Sequence, residues 1–106
     1  TNAPKRVRHI VLMKFREDCS EATHAMISKS MHGMKGKIPG ILKLSYGPSF
    51  TTDRADGFTH VLVVDLVDKL AFEVYAIHAE HIRIIKDEMF PNFGDFPNCV
   101  AVDIKF

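Results

Sequence analysis

The chain has 106 residues, 46% of them hydrophobic and 25% charged, and a formal net charge of +1. This composition predicts one globular domain with a modest core and excludes a disordered chain. Near-neutral charge argues against nucleic acid as a partner, because phosphate binding requires clustered Lys and Arg. No apolar run approaches the roughly 20 residues of a membrane span. Only Cys19 and Cys99 are present, which predicts free thiols in a reducing, cytoplasmic compartment.

The first third of the chain predicts a strand followed by a helix. Residues 1–6 are expected to form a short disordered segment before a domain that spans residues 7–106. Val7–Phe15 is β-branched and aliphatic, a pattern typical of a buried strand. Ser20 followed by Glu21 predicts a helix start, with a cap acceptor and an acid in the first turn. The helix has one apolar face, made of Ile27, Met31, Met34 and Ile38.

The rest of the chain predicts three more strands and a second helix. Pro39-Gly40 ends the first helix, and Ile41–Tyr46 is the second strand. Phe58–Leu66 is the third strand, and Asp68 caps a helix after it. Val100–Phe106 is the last strand. The apolar positions of the second helix and its continuation are Leu70, Val74, Ile77, Ile82, Ile85 and Met89.

The order β-α-β-β-α-β predicts an α+β, ferredoxin-like fold with a four-stranded antiparallel sheet and both helices on one face. Side chains alternate between the faces of a strand, so His9 and His60 are both expected on the face towards the helices. The opposite face would expose more apolar surface than a soluble monomer normally does. The sequence therefore predicts a homodimer whose sheets face each other as a dimeric α+β barrel.

The run Tyr75–His81, Y-A-I-H-A-E-H, places a phenol and two imidazoles within a short distance along the chain. Imidazole titrates near neutral pH and a phenol can donate a hydrogen bond, so the run is a candidate acid–base site. Helix positions six apart lie roughly 120° apart around the axis, so Tyr75 and His81 converge only if the helix bends near Ala79. The alternative to an acid–base site is a solvated helix end with an incidental pair of histidines. His78 and His81 have metal-compatible spacing, but further ligands are not evident, so no metal site is assigned.

The element order, H-I-V-L-M-K-F in the first strand, G-F-T-H-V-L in the third and Y-A-I-H-A-E-H together resemble the stress-responsive A/B barrel family, from Val7 to Phe106. Members of this family are dimeric α+β barrels. They include a cofactor-free plant polyketide cyclase and heat-stable plant proteins with no assigned reaction. The cyclase closes a linear poly-β-keto thioester by aldol condensation, in a pocket between the sheet and the helices.

This resemblance implies a role for each candidate residue. His81 would be the general base and Tyr75 the group that holds the substrate carbonyl, without a cofactor. The ligand would be a small apolar or β-keto molecule. Where the family usually has His-Pro-x-His, this chain has His78-Ala79-Glu80-His81, so the proline at the helix end is missing. The remaining substrate-binding positions implied by the resemblance are His9, His60, His78, Ile27 and Met31.

Three functions remain open at this point. The leading one is a cyclase-like lyase or isomerase acting on a β-keto substrate. The second is a non-catalytic stress protein whose cleft is filled by side chains, and the third is a cofactor-independent monooxygenase. For His9 and His60 the alternative to a pocket role is that of hydrogen-bonded core histidines. The sequence carries no GxGxxG, P-loop or GxSxG motif, so nucleotide cofactors and hydrolase chemistry have no support.

Overall fold

The computed structural model describes residues 5–106, so residues 1–4 of the N-terminal segment lie outside the described residues. Arg6 exchanges two backbone hydrogen bonds of 2.9 Å with Phe106, which extends the pairing of the first and last strands. The elements, in chain order, are β1 (Val7–Met13), α1 (Glu21–Lys37), β2 (Ile41–Pro48), β3 (His60–Leu66), α2 (Lys69–Ile77), α3 (Ala79–Ile84), a π-helical turn (Ile85–Met89), a 3-10 turn (Phe90–Asn92) and β4 (Cys99–Lys105).

The strands form one antiparallel sheet in the order β2-β3-β1-β4. This arrangement confirms the predicted ferredoxin-like α+β fold. β1 lies in the centre, where His9 pairs with Val64 of β3 on one side and with Asp103 of β4 on the other. β1 ends earlier than predicted, and Phe15 instead forms an isolated bridge to Phe93.

Helix α1 begins and ends where the sequence predicts. The backbone N–H of Thr23 donates to the Ser20 hydroxyl at 3.1 Å, which caps the first turn. After the last turn, Gly40 has a φ of 90°, and a Cβ built there would lie 2.7 Å from the Cβ of Ala71. Glycine is therefore required at this close approach of the chain to α2. The buried residues Ile27, Met31, Met34 and Ile38 confirm the predicted apolar face.

Helix α2 is capped as predicted, but its buried face is not the predicted one. The Asp68 carboxylate accepts from the backbone N–H of Ala71 at 2.8 Å. Ala71, Phe72 and Tyr75 pack against the core, and Tyr75 is only 1% exposed. The small side chain of Ala71 lets α2 approach Gly40 closely, and this contact fixes which side of the helix faces inward. The three positions predicted to be buried are exposed in the single chain: Leu70, Val74 and Ile77.

The sheet face opposite the helices, here called the outer face, is largely aliphatic. Directly paired residues share a face, and in the β1–β4 register Val102 lies opposite Ile10 and Val100 opposite Leu12. The β4 members of the outer face are 40–53% exposed: Val100, Val102 and Ile104. Arg8 and Asp65 form a two-point ion pair of 2.8 and 3.0 Å on the same face. Within residues 5–106, no helix has the length and apolarity needed to cross a membrane.

Candidate functional site

A cavity of about 180 Å³ lies between the sheet and the helical segments that follow α2. An apolar cavity of roughly 150 Å³ is large enough to bind benzene, so this one suits a small ring or a short acyl chain. Its wall is mostly apolar, and a few polar side chains interrupt it. The lining residues are His9, Val11, Met34, Leu62, Tyr75, His81, Ile84, Ile85, Met89, Phe90, Phe93, Cys99 and Ala101.

A break between α2 and α3 brings the phenol and the second imidazole of the Y-A-I-H-A-E-H run together. His78 leaves the helical conformation, with φ −64° and ψ 137°. Its backbone N–H donates to the Tyr75 carbonyl at 3.2 Å, and its Nδ1 accepts from the backbone N–H of Glu80 at 3.1 Å. The chain therefore bends where the convergence of the two side chains requires it. The ring centroids of Tyr75 and His81 are 4.3 Å apart.

The tautomer of His81 follows from its backbone contact. Its Nδ1 lies 3.1 Å from the carbonyl oxygen of Ala76. A carbonyl only accepts, so Nδ1 carries the proton and Nε2 keeps a lone pair. Burial lowers the pKa of His81; the carbonyl contact opposes this, and the imidazoles of His9 and His78 lower it further. A neutral ring with a free Nε2 is the form that can accept a proton.

Tyr75 supplies a buried hydrogen-bond donor at the cavity. Its hydroxyl is buried and finds no partner among residues 5–106. Burial raises the pKa of Tyr75 above its ordinary value, with a further rise from the carboxylate of Asp103, so the phenol keeps its proton at neutral pH. A buried hydroxyl without a partner costs about 1–3 kcal/mol. A ligand oxygen in the cavity would remove that cost.

His9 is held by an acidic residue that the sequence analysis did not identify. Nδ1 of His9 lies 2.5 Å from Oδ1 of Asp103, which lies opposite it on β4. The Asp103 carboxylate accepts a hydrogen bond from the Nδ1–H of His9 and so fixes the orientation of the ring. The centroids of the His9 and Tyr75 rings are 5.4 Å apart. The alternation of side chains along β4 could have indicated Asp103, because it places this residue on the same face as the cavity-lining Cys99 and Ala101.

His60 belongs to a different aromatic cluster. Its ring stacks on His24, with centroids 4.7 Å apart and planes inclined by 9°. Phe15 and Tyr46 pack against it, and its Nδ1 lies 2.9 Å from the hydroxyl of Thr59. Burial, and then the neighbouring His24, lower the pKa of His60. The structure therefore does not place His60 beside Tyr75 and His81.

The other predicted ligand-contacting positions also lie outside the cavity lining. Ile27 and Met31 are buried in the core, 0% and 1% exposed, and do not line the cavity. Met34, the next buried residue of α1, does line it. His78 has a capping role at the helix break. Among the described residues, no group of three or more His, Cys, Asp or Glu side chains is placed to hold a metal ion.

The family model described as the stress responsive A/B barrel domain matches residues 7–106. The chain belongs to the stress responsive A/B barrel domain family. One curated relative, a stress-response A/B barrel domain-containing protein of Arabidopsis thaliana, is 28% identical over 92% of this chain and 35% of the relative. The chain therefore spans about a third of the length of that relative. Olivetolic acid cyclase of Cannabis sativa is 25% identical over 72% of this chain and 76% of the cyclase.

Solved structures of similar fold cover nearly the whole chain. A hydroxynitrile lyase from Passiflora edulis superimposes with a TM-score of 0.84 and 23% identity, over 97% of this chain and 94% of the lyase. A protein of unknown function from Thermobifida fusca, described as a dimeric ferredoxin-like protein, has a TM-score of 0.80 and 18% identity, over 100% of this chain and 95% of that one. At these identities the likeness shows the fold alone.

Proposed function

We propose that this member of the stress responsive A/B barrel family is a homodimer with one ligand cavity per subunit, and that it catalyses cofactor-free proton transfer on a small β-keto compound. The observation that carries the proposal is the pairing in one cavity of an unpartnered phenol and a neutral imidazole. Tyr75 offers the donor and His81 offers the acceptor. The sequence similarity to olivetolic acid cyclase supports the same class of chemistry.

In the proposed reaction, Nε2 of His81 removes a proton from a carbon flanked by two carbonyl groups. Negative charge then grows on a carbonyl oxygen, and the Tyr75 hydroxyl donates to that oxygen. The carbanion attacks a second carbonyl carbon of the same chain, which forms the ring bond. The proton on His81 returns to the new alkoxide. His9, held by Asp103, orients the second carbonyl within the cavity.

The lining restricts the part of the substrate that can enter. Among the described residues, no Lys, Arg, Asp or Glu lines the cavity, so the bound portion is expected to be neutral. A cavity of about 180 Å³ admits one ring or the chain that becomes that ring. The second option, a stress protein whose cleft is filled by side chains, is not favoured, because this cavity is not filled. A monooxygenase would require oxygen. Turnover that stops under nitrogen would indicate this function instead.

The homodimer part of the proposal depends on the outer face. Apart from the Arg8–Asp65 ion pair, its side chains on β1, β3 and β4 are mostly aliphatic. A face of this kind is normally covered by another molecule. Structural neighbours described as dimeric, including the one from Thermobifida fusca, support a second copy of this chain as the cover.

The chain offers a matched control for the catalytic test. Tyr46, like Tyr75, has a buried hydroxyl without a partner among the described residues, but it does not line the cavity. Tyr75→Phe and Tyr46→Phe each remove an unpartnered hydroxyl, so both should keep or slightly raise the melting temperature. Only Tyr75→Phe should lower kcat, by about tenfold to a hundredfold. His81→Gln should lower kcat by about a hundredfold or more.

The assays would follow keto–enol interconversion of 2,4-pentanedione by absorbance and ring closure of a linear poly-β-keto thioester by chromatography. The exposed His32 provides the control His32→Gln, which should keep full activity. If Tyr75→Phe and Tyr46→Phe had equal effects on kcat, the cavity would not be the catalytic site. A parallel loss of melting temperature and activity in His81→Gln would indicate a structural role instead.

A further inference from the structure

One continuous stretch of the chain forms much of the cavity wall and reaches its mouth. We call residues 84–93 the wall segment, and five of its side chains line the cavity: Ile84, Ile85, Met89, Phe90 and Phe93. Phe90 is 63% exposed, and Cys99 and Ala101 on β4 are exposed as well. The cavity therefore lies next to solvent between Phe90 and β4, but Met34 in its wall is only 1% exposed, so this position of the segment is the closed one. Among residues 5–106, no backbone hydrogen bond joins the wall segment to β4.

The middle of the wall segment is a π-helical turn, Ile85–Met89. Such turns are rare, occur mostly as single insertions and are frequent at functional sites. Both ends of the segment are fixed. α3 leads into it directly, and beyond it the backbone N–H of Gly94 donates to the Lys14 carbonyl at 2.8 Å. The backbone N–H of Arg16 donates to the carbonyl of Asn92 at 3.0 Å. Any movement of the segment is therefore expected in its middle, between these two held ends.

One buried carboxylate ties this middle part to α1 and α3 through side-chain hydrogen bonds. The Glu88 side chain is 7% exposed, and its Oε2 accepts from the Ser30 hydroxyl of α1 at 2.9 Å. Arg83 of α3 also donates to this oxygen, at 2.7 Å. Hydrogen bonds to a buried charge are stronger than bonds between neutral groups. The Ser30–Glu88 bond therefore holds the wall segment against α1.

The Glu88 carboxylate that attaches the wall segment to α1 is only partly hydrogen-bonded. The other carboxylate oxygen of Glu88, Oε1, is buried and has no partner among the described residues. An unpartnered oxygen of an ionised group is costly when buried, and water would satisfy it if the turn moved outward. The bonded Oε2 of Glu88 thus stabilises the closed position, whereas the unpartnered Oε1 favours opening. A small opening free energy is the expected result.

We propose that the wall segment is a gate for the ligand cavity and that Glu88 is its latch, with Ser30 as the attachment point on α1. The gate opens by release of the Ser30–Glu88 bond and outward movement of the π-helical turn, and it closes over a bound ligand. This inference rests on the proposed function only in taking the cavity as the ligand site. Opening itself is a property of the free protein and can be measured without any substrate.

Methionine oxidation provides the measurement. Met34 and Met89 line the cavity and are 1% and 5% exposed, whereas Met13 and Met31 are equally buried but do not line it. Hydrogen peroxide reaches Met34 through an open gate, and mass spectrometry of peptides gives the sulfoxide formed at each site. Ser30→Ala should raise the oxidation rate of Met34 about tenfold, with Met13 unchanged.

Two further variants sharpen the result. Glu88→Gln keeps the shape but removes the charge, so it should raise Met34 oxidation in the same direction. Ser28→Ala, on the same helix, removes a hydroxyl that contacts His32 rather than the wall segment, so it should leave Met34 at the wild-type rate. Equal increases at Met34 and Met13 would show global loosening and overturn the gate, as would an unchanged Met34 in both latch variants. The oxidation experiment uses no substrate. An inactive wild-type protein would therefore contradict the proposed function but would not affect the test of the gate.

Discussion

At the scale of single residues, the proposed proton transfer depends on which nitrogen of His81 carries the proton. The Ala76 carbonyl holds the proton on Nδ1, and the helix break that separates α2 from α3 allows His81 to reach back to it. Burial then lowers the pKa of the ring and raises that of Tyr75. The two groups are therefore in opposite roles at neutral pH, one an acceptor and the other a donor.

The pH dependence of activity should reflect these two shifts. The base form of His81 is the neutral ring, and its pKa is below the ordinary value near 6.5. Activity should therefore be full above that value and fall only as the pH drops through the lowered pKa. Tyr75 is needed protonated, and its pKa is raised, so no loss is expected up to about pH 9. A profile of kcat/KM from pH 4.5 to about 9.5 checks this. A midpoint at or above the ordinary histidine value would contradict it.

The candidate site was partly predictable from the sequence. The alternation of side chains correctly put His9 and His60 on the face towards the helices. Their separation depends on register, which the sequence did not reveal: His9 pairs with Val64, whereas His60 pairs with Met13. That difference of four positions corresponds to roughly 13 Å along the strand. His60 therefore meets His24 instead of the cavity.

At the scale of elements, the break at His78 is what turns a helical sequence into a site. Without it, Tyr75 and His81 would point in different directions around one helix axis. The predicted caps at Ser20 and Asp68 formed because their signals are local, a side-chain acceptor next to free N–H groups. The buried face of α2 was predicted wrongly because it depends on a contact distant in sequence, between Ala71 and Gly40.

The break also makes a proline substitution favourable. Ala79 is the first residue of α3, where proline fits, and His78 already has the extended conformation that a following proline requires. Ala79→Pro should raise stability by about 0.4–1 kcal/mol, seen as a higher melting temperature, without loss of activity. Ala76→Pro, inside α2, should instead destabilise strongly. A lower melting temperature for Ala79→Pro would indicate that the chain around His78 rearranges.

At the scale of the whole molecule, the sheet has two apolar faces and only one layer of helices. The helical layer covers the face that carries His9 and Val11, and the outer face keeps residues such as Val102 about half exposed. The Arg8–Asp65 ion pair on this face is satisfied within the chain, so covering it leaves no unpaired charge. Fold class and the presence of a second apolar face were predictable from the sequence, because both follow from strand order and alternation.

A charge in the outer face should separate the proposed dimer, whereas a charge on another exposed apolar surface should not. Val102→Glu places a carboxylate opposite Ile10 in the middle of the face, where burial would be costly. Leu70→Glu changes a side chain of α2 that is more exposed, 68% against 53%, and serves as the control. Light scattering at micromolar concentration should give twice 12.0 kDa for the wild type and for Leu70→Glu, and 12.0 kDa for Val102→Glu. If the wild type scattered as a single chain, or if only Leu70→Glu dissociated, the partner surface would not be the outer face.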